Sequence, residues 1–220
     1  MMPDEAREPG QLERIPDERR LDEPHGRFFL IGISTGALTA CVGVAFVGGL
    51  ITGVPVAGSL NQSDIFAPAT WAAAVTITLP MFALLYFERR TRIVWLRELW
   101  QLSGELLGPV VARVTFAELV VVSLFAGLGE ELLFRGFLQS WLGGQGLLVA
   151  LIVPNVLFGV LHWISRDYAV CSFCIGLYFS CLLHFADSVN LTALIIAHSL
   201  YDLVALLCLA REMRQQDAAG

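Results

Sequence analysis

The chain has 220 residues, of which 56% are hydrophobic and only 15% are charged, and its mean hydropathy is +0.67. The formal net charge is −6 and no basic face is present, so we expect no nucleic-acid partner. The composition excludes an ordinary soluble domain and predicts a polytopic membrane protein whose main surroundings are the lipid bilayer.

The two ends of the chain differ from the rest in composition. Residues 1–27 hold eight acidic residues and five arginines, with several prolines and few aromatics. Such a segment buries too little apolar area to fold, and it lacks the basic-then-apolar pattern of a signal peptide. We predict a disordered soluble N-terminal tail at 1–27 and a short C-terminal tail at 211–220.

Six apolar runs of roughly membrane-spanning length lie between these tails. They cover residues 28–51, 69–87, 114–142, 147–163, 168–186 and 191–210. Several of the connections between them are short, which favours antiparallel packing of successive helices. The predicted fold class is therefore all-α, a polytopic transmembrane helix bundle that forms one domain over 28–210.

A further helix is expected between the second and third spans. The segment from Ile93 to Leu107 has an amphipathic pattern and includes Trp95 and Trp100, which suit the headgroup region of a bilayer. Packing on the bundle is the simpler role for such a helix, and guiding a substrate is the alternative. We predict an interfacial helix on the inner surface.

The arginines predict the orientation of the bundle. With both termini in the cytosol, thirteen of the fourteen arginines fall on the cytosolic side, in agreement with the positive-inside rule. We therefore expect an integral protein of the cytoplasmic (plasma) membrane. The exception is Arg135, which lies inside the third predicted span.

Arg135 belongs to the sequence Glu130-Glu131-Leu132-Leu133-Phe134-Arg135. An ionisable side chain at bilayer depth costs about 2.5–3.5 kcal/mol on insertion scales, so three of them within six residues indicate a functional site. Glu131 and Arg135 are four residues apart and share a helix face, whereas Glu130 is rotated by about 100°. The alternative for Glu131 and Arg135 is an ion pair that only fixes packing.

Two other pairs with the same spacing lie in later spans. These are Phe158 with His162 and His198 with Asp202. Counted from the arginine-free turns at about 1.5 Å per residue, Glu130, His162 and His198 lie at depths of about 20, 24 and 12 Å. We expect them to meet in one buried polar cavity.

Carboxylates and imidazoles held out of bulk water suit a reaction that needs an activated water molecule. Hydrolysis fits best: Glu130 would activate water together with His162, and Glu131 would pair with Arg135. His198 with Asp202 would polarise the scissile carbonyl and stabilise its oxyanion. Phe158 is expected to support the site by packing.

These residues resemble the motifs of a known family, the CAAX-processing and bacteriocin-processing (CPBP, or Abi) intramembrane proteases, which include the type II CAAX prenyl endopeptidases. The family pattern is Glu-Glu-x-x-x-Arg, Phe-x-x-x-His and His-x-x-x-Asn/Asp, in that order on separate helices, and all three motifs are present. The resemblance covers residues 114–210, the expected catalytic core. It implies an endopeptidase acting on a membrane-associated peptide or protein, with prenylated substrates implied by the family name alone.

No cofactor is favoured, and a divalent metal such as zinc is the alternative. The chain has no His-Glu-x-x-His motif, and His162 and His198 lie far apart in sequence. A metal, if bound, would be held by Glu130, His162 and His198. Asp202 replaces the Asn often found in the family, and a carboxylate donates to an oxyanion only when it is protonated.

A different class of function also fits the sequence. A transporter or a protective (immunity) scaffold without catalysis could use the same polar cluster for binding or proton transfer. The three ordered motifs favour the enzyme. The spacing of Gly32, Gly36 and Ala40 predicts close helix packing in the first span, with homodimerisation as a minor alternative.

Overall fold

The computed structural model describes residues 23–219, and every regular element among them is helical. The main helices are α1 (Glu23–Thr52), α2 (Pro68–Arg90), α3 (Val94–Val111), α4 (Phe116–Glu131), α5 (Leu147–Leu161), α6 (Arg166–Phe185) and α7 (Leu191–Ala219). Short elements also occur, namely Val56–Ser59, Gln62–Phe66, Ser140–Leu142 and Gly143–Gln145. This is the all-α bundle that the apolar runs predict.

Helix α4 changes its winding at the predicted site. After Glu131 the chain continues without a break as a π-helix, Leu132–Gln139, and then as the α-helical turn Ser140–Leu142. π-Helical turns are rare in proteins, but those that occur often lie at functional sites. The third predicted span, 114–142, therefore corresponds to α4 and its π-helical continuation.

Four helices in the described part of the chain are long and apolar enough to cross a membrane. Their apolar stretches are Phe28–Thr52, Pro68–Arg90, Arg166–Phe185 and Leu191–Gln216. Helix α5 is also apolar but has only 15 residues, or about 22 Å at 1.5 Å per residue, less than the bilayer core of about 30 Å. The chain forms an integral membrane bundle, and the number of six spans stays a prediction.

The ends of the bundle differ from the predicted tails. Residues 1–22 lie outside the described residues, but α1 begins at Glu23, within the segment predicted as tail. At the other end α7 continues to Ala219, so the predicted C-terminal tail at 211–220 is helical over almost its whole length. The apolar run ends near 210, but the residues after it include good helix formers and no proline.

Close packing of α4 against its neighbours positions the site. A Cβ atom at Gly127 would lie 2.9 Å from the carbonyl oxygen of Ile195 and 3.0 Å from the amide nitrogen of Ser199, so α7 approaches α4 where only glycine fits. Gly129 allows a similar approach to α1. The expected close packing at Gly32 and Gly36 is not found within the described chain, since no atom there comes within 4 Å of either position.

Helix α3 corresponds to the amphipathic helix predicted between the second and third spans, and its interfacial position stays a prediction. Leu96 and Leu99 are buried against the bundle, while Arg97 is exposed. The indole of Trp100 donates a hydrogen bond to Glu212 Oε2 at 2.7 Å, and Arg89 pairs with the same carboxylate. The end of α7 therefore holds α3 and the end of α2 together.

Candidate active site

The predicted pair of Glu131 and Arg135 lies at the centre of the bundle. Arg135 Nη1 donates to Glu131 Oε1 at 3.1 Å, and the two side chains are 0% and 1% exposed. An ion pair without water persists only when hydrogen bonds satisfy its remaining groups. The surroundings of Arg135 show how this is achieved.

Amide and carbonyl oxygens accept from the second terminal nitrogen of Arg135, whereas its Nε has no hydrogen-bond partner among the described residues. Its Nη2 donates to Asn155 Oδ1 at 3.2 Å and to the carbonyl oxygen of Gly176 at 2.8 Å. Three aromatic rings surround the guanidinium, with centroids 5.2–5.9 Å from its central carbon; they belong to Phe134, Phe158 and Phe179. Such rings attract a cation through their faces. Arg135 thus ties α5 and α6 to α4.

Asn155 connects these helices through its side-chain amide. It is fully buried, and its Nδ2 donates to the carbonyl oxygen of Leu151 at 2.6 Å and to Ser180 Oγ at 2.8 Å. A Cβ at Gly176 would lie 2.5 Å from Asn155 Oδ1, so a side chain at that position would displace the amide. The network fixes the guanidinium and, through it, Glu131.

We expect Asn155→Leu to destabilise the protein by about 1–3 kcal/mol, because the substitution leaves a donor of Arg135 buried without its acceptor. The thermal unfolding midpoint in detergent micelles measures this loss. Val156→Leu, at an exposed neighbour on the same helix, is the control and should leave the midpoint within about 1 °C of wild type. An unchanged midpoint for Asn155→Leu would contradict the role of this amide.

Glu131 also contacts His198, a link that the sequence spacing does not predict. The His198 Nδ1 atom lies 2.8 Å from Glu131 Oε1. Because Glu131 is paired with Arg135, it accepts this hydrogen bond and His198 donates it from Nδ1. The bond directs the other ring nitrogen, Nε2, toward the two remaining carboxylates.

Those carboxylates belong to Glu130 and Asp202. His198 Nε2 lies 3.7 Å from Glu130 Oε2 and 3.6 Å from Asp202 Oδ2. These distances are too long for direct hydrogen bonds. Glu130 Oε2 is itself buried and has no hydrogen-bond partner among the described residues.

His162 approaches Glu130 from the end of α5. Its Nε2 lies 3.9 Å from Glu130 Oε2, and its Nδ1 lies 2.8 Å from the carbonyl oxygen of Phe158. A carbonyl only accepts, so Nδ1 carries the hydrogen and Nε2 of the neutral ring presents a lone pair. Phe158 also packs on the His162 ring and against Phe134, in agreement with a supporting role.

All the predicted residues line one cavity of about 300 Å³. Its polar end holds Glu130, His162, His198 and Asp202. From there it extends toward α3, between apolar side chains of α2, α3 and α7. These include Leu85, Leu99, Leu107, Leu206 and Leu209. The expectation that the motifs meet in one buried polar cavity is therefore met by the geometry, while the chemical roles of the residues remain predictions.

The alternative metal site would consist of Glu130, His162 and His198. No group of three or more His, Cys, Asp and Glu side chains within the described range is arranged to hold a metal ion. In the predicted set, Glu130 Oε2 is 3.7–3.9 Å from the Nε2 atoms of His198 and His162. Whether Glu130, His162 and His198 bind a metal therefore stays a prediction, as does the absence of a cofactor.

Comparison with known protein families places this site in context. Residues 112–204 match the family model described as type II CAAX prenyl endopeptidase Rce1-like. The chain contains an Rce1-like domain. The resemblance seen in the three motifs is confirmed, and the family implies a CAAX-type intramembrane protease. No curated protein and no solved structure gives a significant match to the chain.

The Rce1-like domain contains every predicted site residue and begins just before α4. It leaves out helices α1, α2 and α3, although all three contribute side chains to the wall of the cavity. Sequence reasoning missed Asn155, whose signal was a lone amide within the apolar run of α5. It also missed Glu88. Because Arg89 and Arg90 follow it, this residue looks in the sequence like one of the charged residues that commonly flank a membrane span.

Proposed function

We propose that the chain is an intramembrane endopeptidase that hydrolyses a peptide bond of a membrane-associated substrate by means of a water molecule activated by Glu130 and His162. The observation that carries the proposal is the meeting of Glu130, His162, His198 and Asp202 at one end of a cavity within the bundle. The Rce1-like family supports the same class of reaction.

The activation of water follows from the orientation of the donors and acceptors. Glu130 Oε2 and His162 Nε2 are 3.9 Å apart and both present lone pairs, so a water molecule between them would donate one hydrogen to each. Glu130 takes the proton as the water oxygen attacks the scissile carbonyl carbon. The same proton then passes to the leaving amine as the C–N bond breaks.

His198 is proposed to stabilise the oxyanion. Since Nδ1 donates to Glu131, donation from Nε2 requires the doubly protonated ring. Glu131 on one side and Asp202 on the other compensate the positive charge of that ring. In this arrangement Asp202 orients His198 and does not contact the oxyanion itself, and Glu131 remains paired with Arg135.

The cavity also suggests how a substrate reaches the site. It extends from the four polar residues toward α3 and the ends of α2 and α7. The arginines collect on this side, which the positive-inside rule assigns to the cytosol. We propose cytosolic entry in the plasma membrane, with the apolar part of the cavity accepting a lipid chain or apolar side chains of the substrate.

The test uses purified protein in lipid nanodiscs with a panel of quenched fluorescent peptides, each prepared with and without a prenyl chain. We expect wild type to cleave one or more of these peptides at a defined bond. Equal fluorescence from wild-type and protein-free nanodiscs for every peptide would contradict the proposal.

A chelator separates the two mechanisms for activating water. We expect 1,10-phenanthroline or EDTA to change the rate of cleavage less than twofold, because Glu130 and His162 supply the activation. The control is a zinc peptidase assayed in the same nanodisc buffer, which the chelator should inactivate. If the chelator abolished cleavage and added zinc restored it, the mechanism without metal would be contradicted. Glu130, His162 and His198 would then be metal ligands.

A further inference from the structure

Glu88 is a fourth acidic side chain of the cavity that the proposed reaction does not use. It lies on α2 two residues before the helix ends, and it lines the cavity together with Leu85 of the same helix. Its exposure is only 7%. A carboxylate so far removed from water costs free energy unless a partner compensates its charge.

The neighbouring arginines do not supply that compensation. Arg89 donates from Nε to Glu212 Oε1 at 2.9 Å, and Arg90 stacks on the ring of Tyr86 at 4.5 Å. No hydrogen bond or ion pair joins Glu88 to any residue in the described part of the chain. Glu88 therefore lines the cavity with a carboxylate that has no hydrogen-bond or ion-pair partner among the described residues.

The wall of the cavity carries more negative than positive side chains. Among the described residues that line it, four carry carboxylates and one carries a guanidinium, and the doubly protonated His198 of the proposed reaction adds one further positive charge. That guanidinium, of Arg135, is already engaged by Glu131. The cavity as a whole therefore favours a ligand that brings positive charge.

We propose that Glu88 forms a binding subsite for a cationic group of the peptide substrate, the ammonium of a lysine or the guanidinium of an arginine. Glu88 lies on α2, which packs against α3, whereas the hydrolytic residues lie on α4, on α7 and directly after the end of α5. The subsite therefore binds the substrate away from the scissile bond and determines which segment of the peptide enters the site. This inference rests on the proposed function, because it assumes that a peptide occupies the cavity.

The test measures binding, so that it does not depend on cleavage. Fluorescent prenylated peptides of neutral sequence carry one lysine, moved in turn along the chain, and norleucine replaces that lysine in each partner peptide. They are titrated against Glu130→Gln protein in phosphatidylcholine nanodiscs, because the quaternary ammonium of choline has no N–H to donate to a carboxylate. We expect lysine at one or two positions to lower Kd about tenfold relative to norleucine.

Adding Glu88→Gln to this protein should reduce the ratio of the norleucine-peptide Kd to the lysine-peptide Kd to about one. Adding Glu88→Lys instead should favour a peptide with glutamate at the same position. Glu105→Gln, at an exposed glutamate of α3, is the matched control and should keep the tenfold ratio. A ratio that survives Glu88→Gln, or no preference for lysine at any position, would overturn the subsite. Loss of cleavage without loss of this ratio would count against the proposed function alone.

Discussion

Glu130→Gln is expected to lower the rate of peptide cleavage by about 10²–10⁴-fold, the usual contribution of a general base. Glutamine keeps the size and shape of the side chain but cannot take a proton from water. The buried Oε2 atom of Glu130 lies 3.7–3.9 Å from two imidazole nitrogens, which is the position where proton transfer is needed. Initial rates in nanodiscs, at substrate concentrations above and below KM, measure the effect.

The effect should appear in kcat more than in KM, because the carboxylate acts on the attacking water and not on the bound peptide. Glu105→Gln removes a carboxylate from the exposed face of α3 and should retain at least half of the wild-type rate. A Glu130→Gln protein that is folded and retains more than a tenth of the wild-type kcat would exclude Glu130 as the base.

The second large effect concerns stability. We expect Arg135→Met to destabilise the protein by about 3–5 kcal/mol, because Glu131 would remain fully buried with its charge uncompensated. Methionine fills much of the same volume between the aromatic rings, so lost packing accounts for a minor part. Reversible unfolding in mixed micelles with increasing denaturing detergent gives the free energy difference.

A double variant separates charge from packing. Glu131→Gln combined with Arg135→Met removes both charges and should be less destabilised than Arg135→Met alone. Arg97→Met, at an exposed arginine of α3, should change the free energy of unfolding by less than about 0.5 kcal/mol. If Arg135→Met cost no more than Arg97→Met, the buried pair would not hold the helices together as described.

The sequence predicted much of this arrangement because helical spacing and polarity are local properties. Glu131 and Arg135 pair across one turn as their spacing indicated, and the Rce1-like match confirms the family that the three motifs resemble. The amphipathic pattern after Ile93 likewise predicted α3. Each of these features depends on residues within a few positions of one another.

The features that escaped prediction depend on packing between distant segments. The hydrogen bond from His198 to Glu131 exists because Gly127 allows α7 to approach α4 closely, and the spacing of His198 and Asp202 indicated a different partner. The π-helix after Glu131 was also missed, because helical periodicity alone predicts an ordinary α-helix there. The continuation of α7 beyond 210 was missed because the prediction followed hydropathy, which ends before the helix does.

Mass spectrometry of the products tests the central claim most directly. One prenylated peptide is incubated with wild type and with Glu130→Gln and His198→Ala variants in the same nanodiscs, and the fragments are identified by mass. The account predicts two complementary fragments from a single peptide bond with wild type and a loss of at least 10²-fold with either variant. The same fragments in equal yield from all three proteins, or intact peptide throughout, would contradict it.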